Sequence, residues 1–230
     1  RALRQARDQR EGAERVASRE GRDNFGRKPA RGAMGNGILG VGSAGQDGWL
    51  DSHDQRITSA DLAYHAESII SGLYALGGQP DVAFAEERLR VAPEFLSVVY
   101  RGVPDVRIIV FRGIPVMAMT RLPTRRSAGK ANLQLGAVGA GIDLMTGRTN
   151  FAVIASRPVE THPDTGEQVV DFQIPLFREA LETALRATDQ TGLGYVGADV
   201  VIDAARGPMI LELNARRGRV VQLVNQKGML

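Results

Sequence analysis

Gly197-Ala198-Asp199-Val200-Val201-Ile202-Asp203-Ala204-Ala205-Arg206-Gly207-Pro208-Met209-Ile210-Leu211-Glu212-Leu213-Asn214-Ala215-Arg216 is the stretch that decides how this chain is read. Its two apolar runs, Val196 to Ile202 and Pro208 to Leu213, flank a short turn and predict a β-hairpin. With the turn centred between Ala205 and Arg206, Asp199 falls directly opposite Glu212, and Asn214, two residues on, shares their face. Val200, Ile202, Met209, Leu211 and Leu213 take the other face as core material. Facing carboxylates destabilise a hairpin unless positive charge lies between them, and a divalent cation would supply it. Two carboxylates and a carboxamide form an all-oxygen set that suits Mg2+ or Mn2+ rather than zinc. The competing reading is an exposed strand pair whose Asp, Glu and Asn merely meet water, and the hairpin alone does not decide between them.

Working outward, Val106 to Val110 and Ile114 to Met119 predict a second hairpin around Arg112-Gly113. Residues 128–149 are rich in glycine and predict loop mixed with short strands. Ile174 to Thr188 has helical apolar spacing. So does Ser59 to Leu76, through Leu62, Ile69, Ile70, Leu73 and Leu76, with Gly77-Gly78 as its stop. Asp81 to Glu86 reads as a strand. Phe25 to Val41 reads as an extended piece, a glycine-rich turn and an apolar strand. Helices and hairpins alternate in an α+β manner without an internal repeat.

Composition removes several classes of function. The 230 residues include no cysteine, which excludes a disulfide framework and a thiolate metal site. No run of eighteen apolar residues and no signal-like apolar core occur, so a soluble, cytoplasmic protein with no membrane partner is expected. Net charge is +3, but residues 1–31 hold ten Arg or Lys against five Asp or Glu, leaving nineteen against twenty-one in the rest. A nearly neutral body argues against a dedicated nucleic-acid surface. Only Lys28, Lys130 and Lys227 among the 29 cationic residues are lysines. A compact ammonium is not interchangeable with a guanidinium fork at a phosphate, which marks these lysines for attention. His53, His65 and His162 share no ligand spacing and are read as surface or helix residues.

Asp199, followed after the turn by Glu212-Leu213-Asn214-Ala215-Arg216, resembles the metal-binding end of the ATP-grasp superfamily. The likeness is greatest to its α-L-glutamate-ligase-like branch, which takes in the RimK-type ligases and sugar-transfer-associated ATP-grasp proteins, and it spans residues 25–230. Lys28-Pro29-Ala30-Arg31-Gly32-Ala33-Met34-Gly35-Asn36-Gly37 is similar to the family's lysine and glycine-rich flap, in which Gly32, Gly35 and Gly37 let backbone amides face phosphate oxygens. Val82 to Leu89 resembles the adenine-holding hinge strand. The resemblance implies base contacts around Glu86, Glu87 and Leu89, with Glu94 at the ribose. Gly129-Lys130-Ala131-Asn132 is similar to the stretch that brings a cation and an asparagine to the triphosphate. It further implies that Asp199, Glu212 and Asn214 hold the metal, that Lys28 and Lys130 face the phosphates, and that Arg107 and Arg216 steady the transferred group.

The implied fold is α+β, an ATP-grasp fold of two lobes with the nucleotide between antiparallel sheets. A basic segment 1–24, a small lobe 25–95 and a large lobe 96–230 are expected. The Arg at position 1 suggests a missing upstream part. The implied activity is ATP- and Mg-dependent joining of a carboxylate to an amine through an acyl phosphate, with an amino acid such as glutamate, a peptide or a protein tail as partners. Two departures, Phe25-Gly26-Arg27 ahead of the lysine and Arg217 where the family has proline, support an alternative: a catalytically impaired nucleotide-binding regulatory module. A basic nucleic-acid-binding adaptor acting through residues 1–31 is the third reading.

Overall fold

The computed structural model describes residues 25–32, 36–45, 48–51, 54–75, 77–215 and 220–228. The basic segment 1–24 lies outside them. The chain divides into two compact units, one ending at Arg88 and the other beginning at Leu89.

The first unit is built on an antiparallel sheet in the order β4-β3-β2-β1-β5. Its strands are β1 (Phe25–Pro29), β2 (Leu39–Gly45), β3 (Gly48–Asp51), β4 (Arg56–Ile57) and β5 (Ala83–Glu87). The expected extended piece and apolar strand are β1 and β2, paired with Gly26 opposite Gly40. Phe25, Val41 and Ile57 are buried together with Leu62 of α1 (Ser59–Ile70). Thr58 and Asp61 form a capping box at the start of α1, satisfying two otherwise orphaned donors. Its buried stripe is Leu62, Ala63, Ala66 and Ile69. The helix does not reach Gly77-Gly78 as expected. It stops at Ile70, where Gly72 donates to Ile69 O and Leu73 to Ser68 O, a Schellman ending. Gly72 sits at φ +86, and a Cβ there would meet Gln79 O at 2.4 Å, so only glycine ends the helix this way. Leu73, counted on the apolar stripe, is exposed.

The second unit holds a seven-stranded antiparallel sheet in the order β10-β9-β8-β7-β6-β11-β12. The strands are β6 (Asp105–Phe111), β7 (Ile114–Leu122), β8 (Val138–Ile142), β9 (Thr149–Ile154), β10 (Arg157–Val159), β11 (Tyr195–Asp203) and β12 (Gly207–Asn214). Both expected hairpins are present, as β6–β7 and β11–β12. One face packs Val106, Ile108, Val200 and Ile202 against Phe95 and against α2 (Phe177–Asp189), whose Phe177, Ala180 and Ala184 recur at helical spacing. Each such aliphatic side chain contributes about 1.5–3 kcal/mol on burial. The other face carries Ile109, Met117, Met119 and Val153 under Val221 and Val224 of α3 (Val220–Asn225), a helix the sequence reading did not foresee. Asn225 Nδ2 donates to Ala118 O at 2.9 Å and ties α3 to β7.

The last hairpin corrects two expectations. Asp203 pairs with Gly207, so the turn holds Ala204, Ala205 and Arg206 and is centred on Ala205. Asp203 Oδ1 accepts from the Ala205 and Arg206 amides, both at 3.0 Å, which fixes that turn. A bulge between Asp199 and Val200 then shifts the register by one residue, and Asp199 does stand opposite Glu212. Leu211 and Leu213 are exposed rather than core, β12 ending the order of described strands with Leu211 unpaired at the bulge, and Ile210 rather than Met209 stands opposite Val200 and packs on the core.

A candidate metal and phosphate site on the large sheet

Strand alternation sends Ala198, Val200 and Ile202 into the larger core and leaves Asp199 on the opposite face. Asp199 is fully buried. Arg107, its partner across β11 and β6, grips it with a fork: Nε to Oδ1 at 2.6 Å and Nη2 to Oδ2 at 2.6 Å. Arg121, one strand farther on β7, donates Nη2 to Asp199 Oδ2 at 2.7 Å. Arg121 also forks onto Asp105, with Nε to Oδ1 at 2.7 Å and Nη2 to Oδ2. On the outer side, Asn214 Nδ2 donates to Glu212 Oε1 at 2.9 Å, and Arg107 Nη2 lies 3.8 Å from the same oxygen.

Charge therefore alternates across the face: Asp105, Arg121, Asp199, Arg107, Glu212. Exposure is low along most of the row, 3% for Asp105 and 0% for Asp199, and reaches 58% only at the Glu212 side chain. The positive charge that the facing carboxylates require is supplied by Arg107 and Arg121. Arg121 was not among the expected site residues and Asp105 was not given a role. Burial raises the Asp105 carboxyl to about 6, although Arg121 opposes it. Burial also acts to raise Asp199, but the hydrogen bonds from Arg107 and the charges of Arg121 and Arg107 outweigh it and hold Asp199 below the usual carboxylate range.

Asp199, Glu212 and Asn214 come together at the β12 side of the sheet, an all-oxygen set of the kind a hard dication takes once the Asn214 amide, which here turns its nitrogen to both carboxylates, presents its oxygen; Glu212 stands open to solvent. Among the described residues no cluster of three or more His, Cys, Asp or Glu side chains is placed to hold a metal ion.

The other expected site residues stand as follows. Lys28 lies on β1 with Nζ 2.7 Å from Glu86 Oε1 on β5. Glu87 pairs with Phe25 at the end of the same strand, and Leu89 opens the second unit. Gly32 bridges Ala75, and Gly37 lies at a turn against Tyr74, hydrogen-bonded through its backbone by His65. Gly35, Arg216 and Arg217 lie outside the described residues. Asn132 is occupied locally: its Oδ1 accepts from the Gln134 amide at 2.9 Å and caps a short 3-10 turn. Lys130 is on the loop before it, in a turn closed by its amide to Ser127 O. Glu94 is not brought to the Asp199 cluster. It lines a separate cleft of about 680 Å3 with Arg148, Asp171, Phe172 and Leu176, beside the α2 layer. His162, read as a surface or helix residue, is fully buried, with Nε2 3.0 Å from Pro123 O.

The model of the family described as "Sugar-transfer associated ATP-grasp" matches residues 3–230. The chain belongs to that family. No curated protein matches the ATP-grasp chain. Among solved structures it is similar to the ATP-grasp ligase PsnB complexed with a phosphomimetic variant of its minimal precursor, Mg and ADP, at 16% identity and a TM-score of 0.44, covering 94% of this chain and 44% of that one. It is similar to D-cycloserine synthetase DcsG at 16% identity and a TM-score of 0.43, covering 96% and 55%. A Chryseobacterium gregarium RiPP-associated ATP-grasp ligase in complex with ADP and a leader and core peptide gives 13% identity and 0.44, covering 96% and 48%. This ATP-grasp chain thus spans about half the length of the solved structures it matches. Among its described residues no helix is long and apolar enough to cross a membrane.

Proposed function

We propose that the chain carries the nucleotide- and metal-binding part of an ATP-dependent carboxylate–amine ligase. The observation that carries this reading is the registered pair Asp199 and Glu212, with Asn214 beside them and two guanidinium groups on the same sheet face. Asp199, Glu212 and Asn214 would hold Mg2+ or Mn2+, which when bound supplies charge neutralisation for the phosphate oxygens.

In the proposed reaction a carboxylate oxygen bonds to the γ-phosphorus of ATP, the bond from that phosphorus to the β–γ bridging oxygen breaks, and ADP leaves. An amine then bonds to the acyl carbon, phosphate leaves with the carbon–oxygen electron pair, and the amine proton passes to solvent. No protein nucleophile is required, because positioning and charge stabilisation carry phosphoryl transfer. Arg107 steadies the transferring group, as would Arg216, while Lys28 and Lys130 draw the phosphates. Gly32, Gly35 and Gly37 supply flap amides. Backbone groups at Glu86, Glu87 and Leu89 read the base edge. An amino acid such as glutamate, a peptide or a protein tail would suit this chemistry as substrate, and an ATP-consuming reaction of this kind suits a cytoplasmic protein.

The test is ADP release by the full-length gene product across a panel of amino acids and acidic peptides. Release that needs both a carboxylate and an amine supports the ligase. Mg-dependent ATP binding with no release under any pair supports the non-catalytic module, a reading favoured by the Lys28–Glu86 ion pair, which occupies the flap lysine.

A further inference from the structure

Asp105 has no route to a substrate. It is buried, and both its oxygens are taken by the Arg121 fork. Yet it touches the site through a single intermediary, because the Nη2 that binds Asp105 also donates to Asp199 Oδ2. Three carboxylates, Asp105, Asp199 and Glu212, face two guanidinium groups, so the row carries one net negative charge. Without Asp105 the row would be neutral, and nothing would keep the Arg121 fork from turning wholly onto Asp199. Asp199 Oδ2 already accepts from Arg107, Arg121 and, at 3.5 Å, Asn214, while Oδ1 accepts only from Arg107, so a second bond from Arg121 would take the site left for a cation at Oδ1.

We propose that Asp105 is a positioning residue: by engaging the Arg121 fork it limits Arg121 to one hydrogen bond on Asp199 and keeps that carboxylate able to take a dication. The inference rests on reading this face as a magnesium–nucleotide site. Groups placed behind metal ligands commonly tune them in this way. A merely structural Asp105 would affect unfolding and leave the cation dependence of binding alone.

The experiment measures ADP binding by calorimetry with and without Mg2+, well below the unfolding temperature, for the full chain and for Asp105→Asn. The expected result is that magnesium tightens ADP binding to the unaltered protein, and that Asp105→Asn cuts this enhancement about 10–100-fold while magnesium-free affinity stays within about threefold. A crystal structure of the variant should show the Arg121 fork moved onto Asp199. Arg121→Lys, which keeps the charge but cannot fork onto Asp199, should keep the enhancement, alone or combined with Asp105→Asn; its loss in Arg121→Lys overturns the fork as the cause even if Asp105→Asn does not fold. Enhancement retained in Asp105→Asn overturns the role of Asp105 alone. Absence of enhancement in the unaltered protein overturns the magnesium reading and the role together.

Discussion

Asp199 and Glu212 face each other across the last hairpin, yet the first is fully buried and bound by two arginines while the second reaches solvent. One acid anchors the network and the other is open to solvent. Their substitutions should therefore separate stability from binding.

Asp199→Asn removes the charge that compensates two largely buried guanidinium groups. Arg121 keeps its fork on Asp105, but Arg107 loses its buried partner, which should cost about 3 kcal/mol. Urea unfolding followed by circular dichroism should show the loss, and a change below about 1 kcal/mol would mean that the network is not held as described.

Reading the hairpin from sequence succeeded at Asp199 and Glu212 because two single-residue errors cancel. Compared with a turn of Ala205 and Arg206 alone, the turn takes in Ala204 from the β11 side, and the bulge beside Asp199 restores the register. Neither feature has a local signature, since bulges answer to packing. The same limit hid the Asp105–Arg121 pair. Counting back from Phe111 opposite Ile114 sets Asp105 against Thr120, and only the bulge at Val116 brings Arg121 opposite. Alternating opposite charges on β6 and β7 were the available signal. Leu211 and Leu213 were misread because alternation reveals a strand's faces but not whether a neighbour covers them. The β11 core was legible because its β-branched run is buried on both sides.

Gly102 tests the loop that carries Lys130. It sits at φ +73, and a Cβ there would lie 1.8 Å from the Gly129 carbonyl oxygen, a backbone atom that cannot rotate aside. Gly102→Ala should destabilise the second unit by more than about 1 kcal/mol and displace the loop. Thermal unfolding and amide exchange at residues 124–130 would register both, and an unchanged melting temperature would contradict the close approach.

Buried His162 predicts a pH effect with a definite sign. Burial lowers its pKa from the ordinary 6.5, so the folded state keeps it neutral while the unfolded chain protonates first. The unfolded state then binds more protons, and stability is lost as pH falls below about 6.5. Asp105 works the other way: its pKa, raised to about 6, makes its contribution largest in acid and lost as pH rises through 6. Comparing unfolding at pH 7.5 and 5.5, His162→Gln should show a smaller acid loss than the unaltered protein. An equal loss would mean that His162 is not held neutral.

The most direct test of the account is capture of Mn2+ in the presence of ADP, followed through the electron paramagnetic resonance signal of the free ion. The unaltered chain should bind the ion with nucleotide, and Glu212→Ala, whose side chain is 58% exposed, should weaken capture about 10–100-fold while folding normally. Equal capture by the two proteins would contradict the assignment of Asp199, Glu212 and Asn214 as the metal-binding edge.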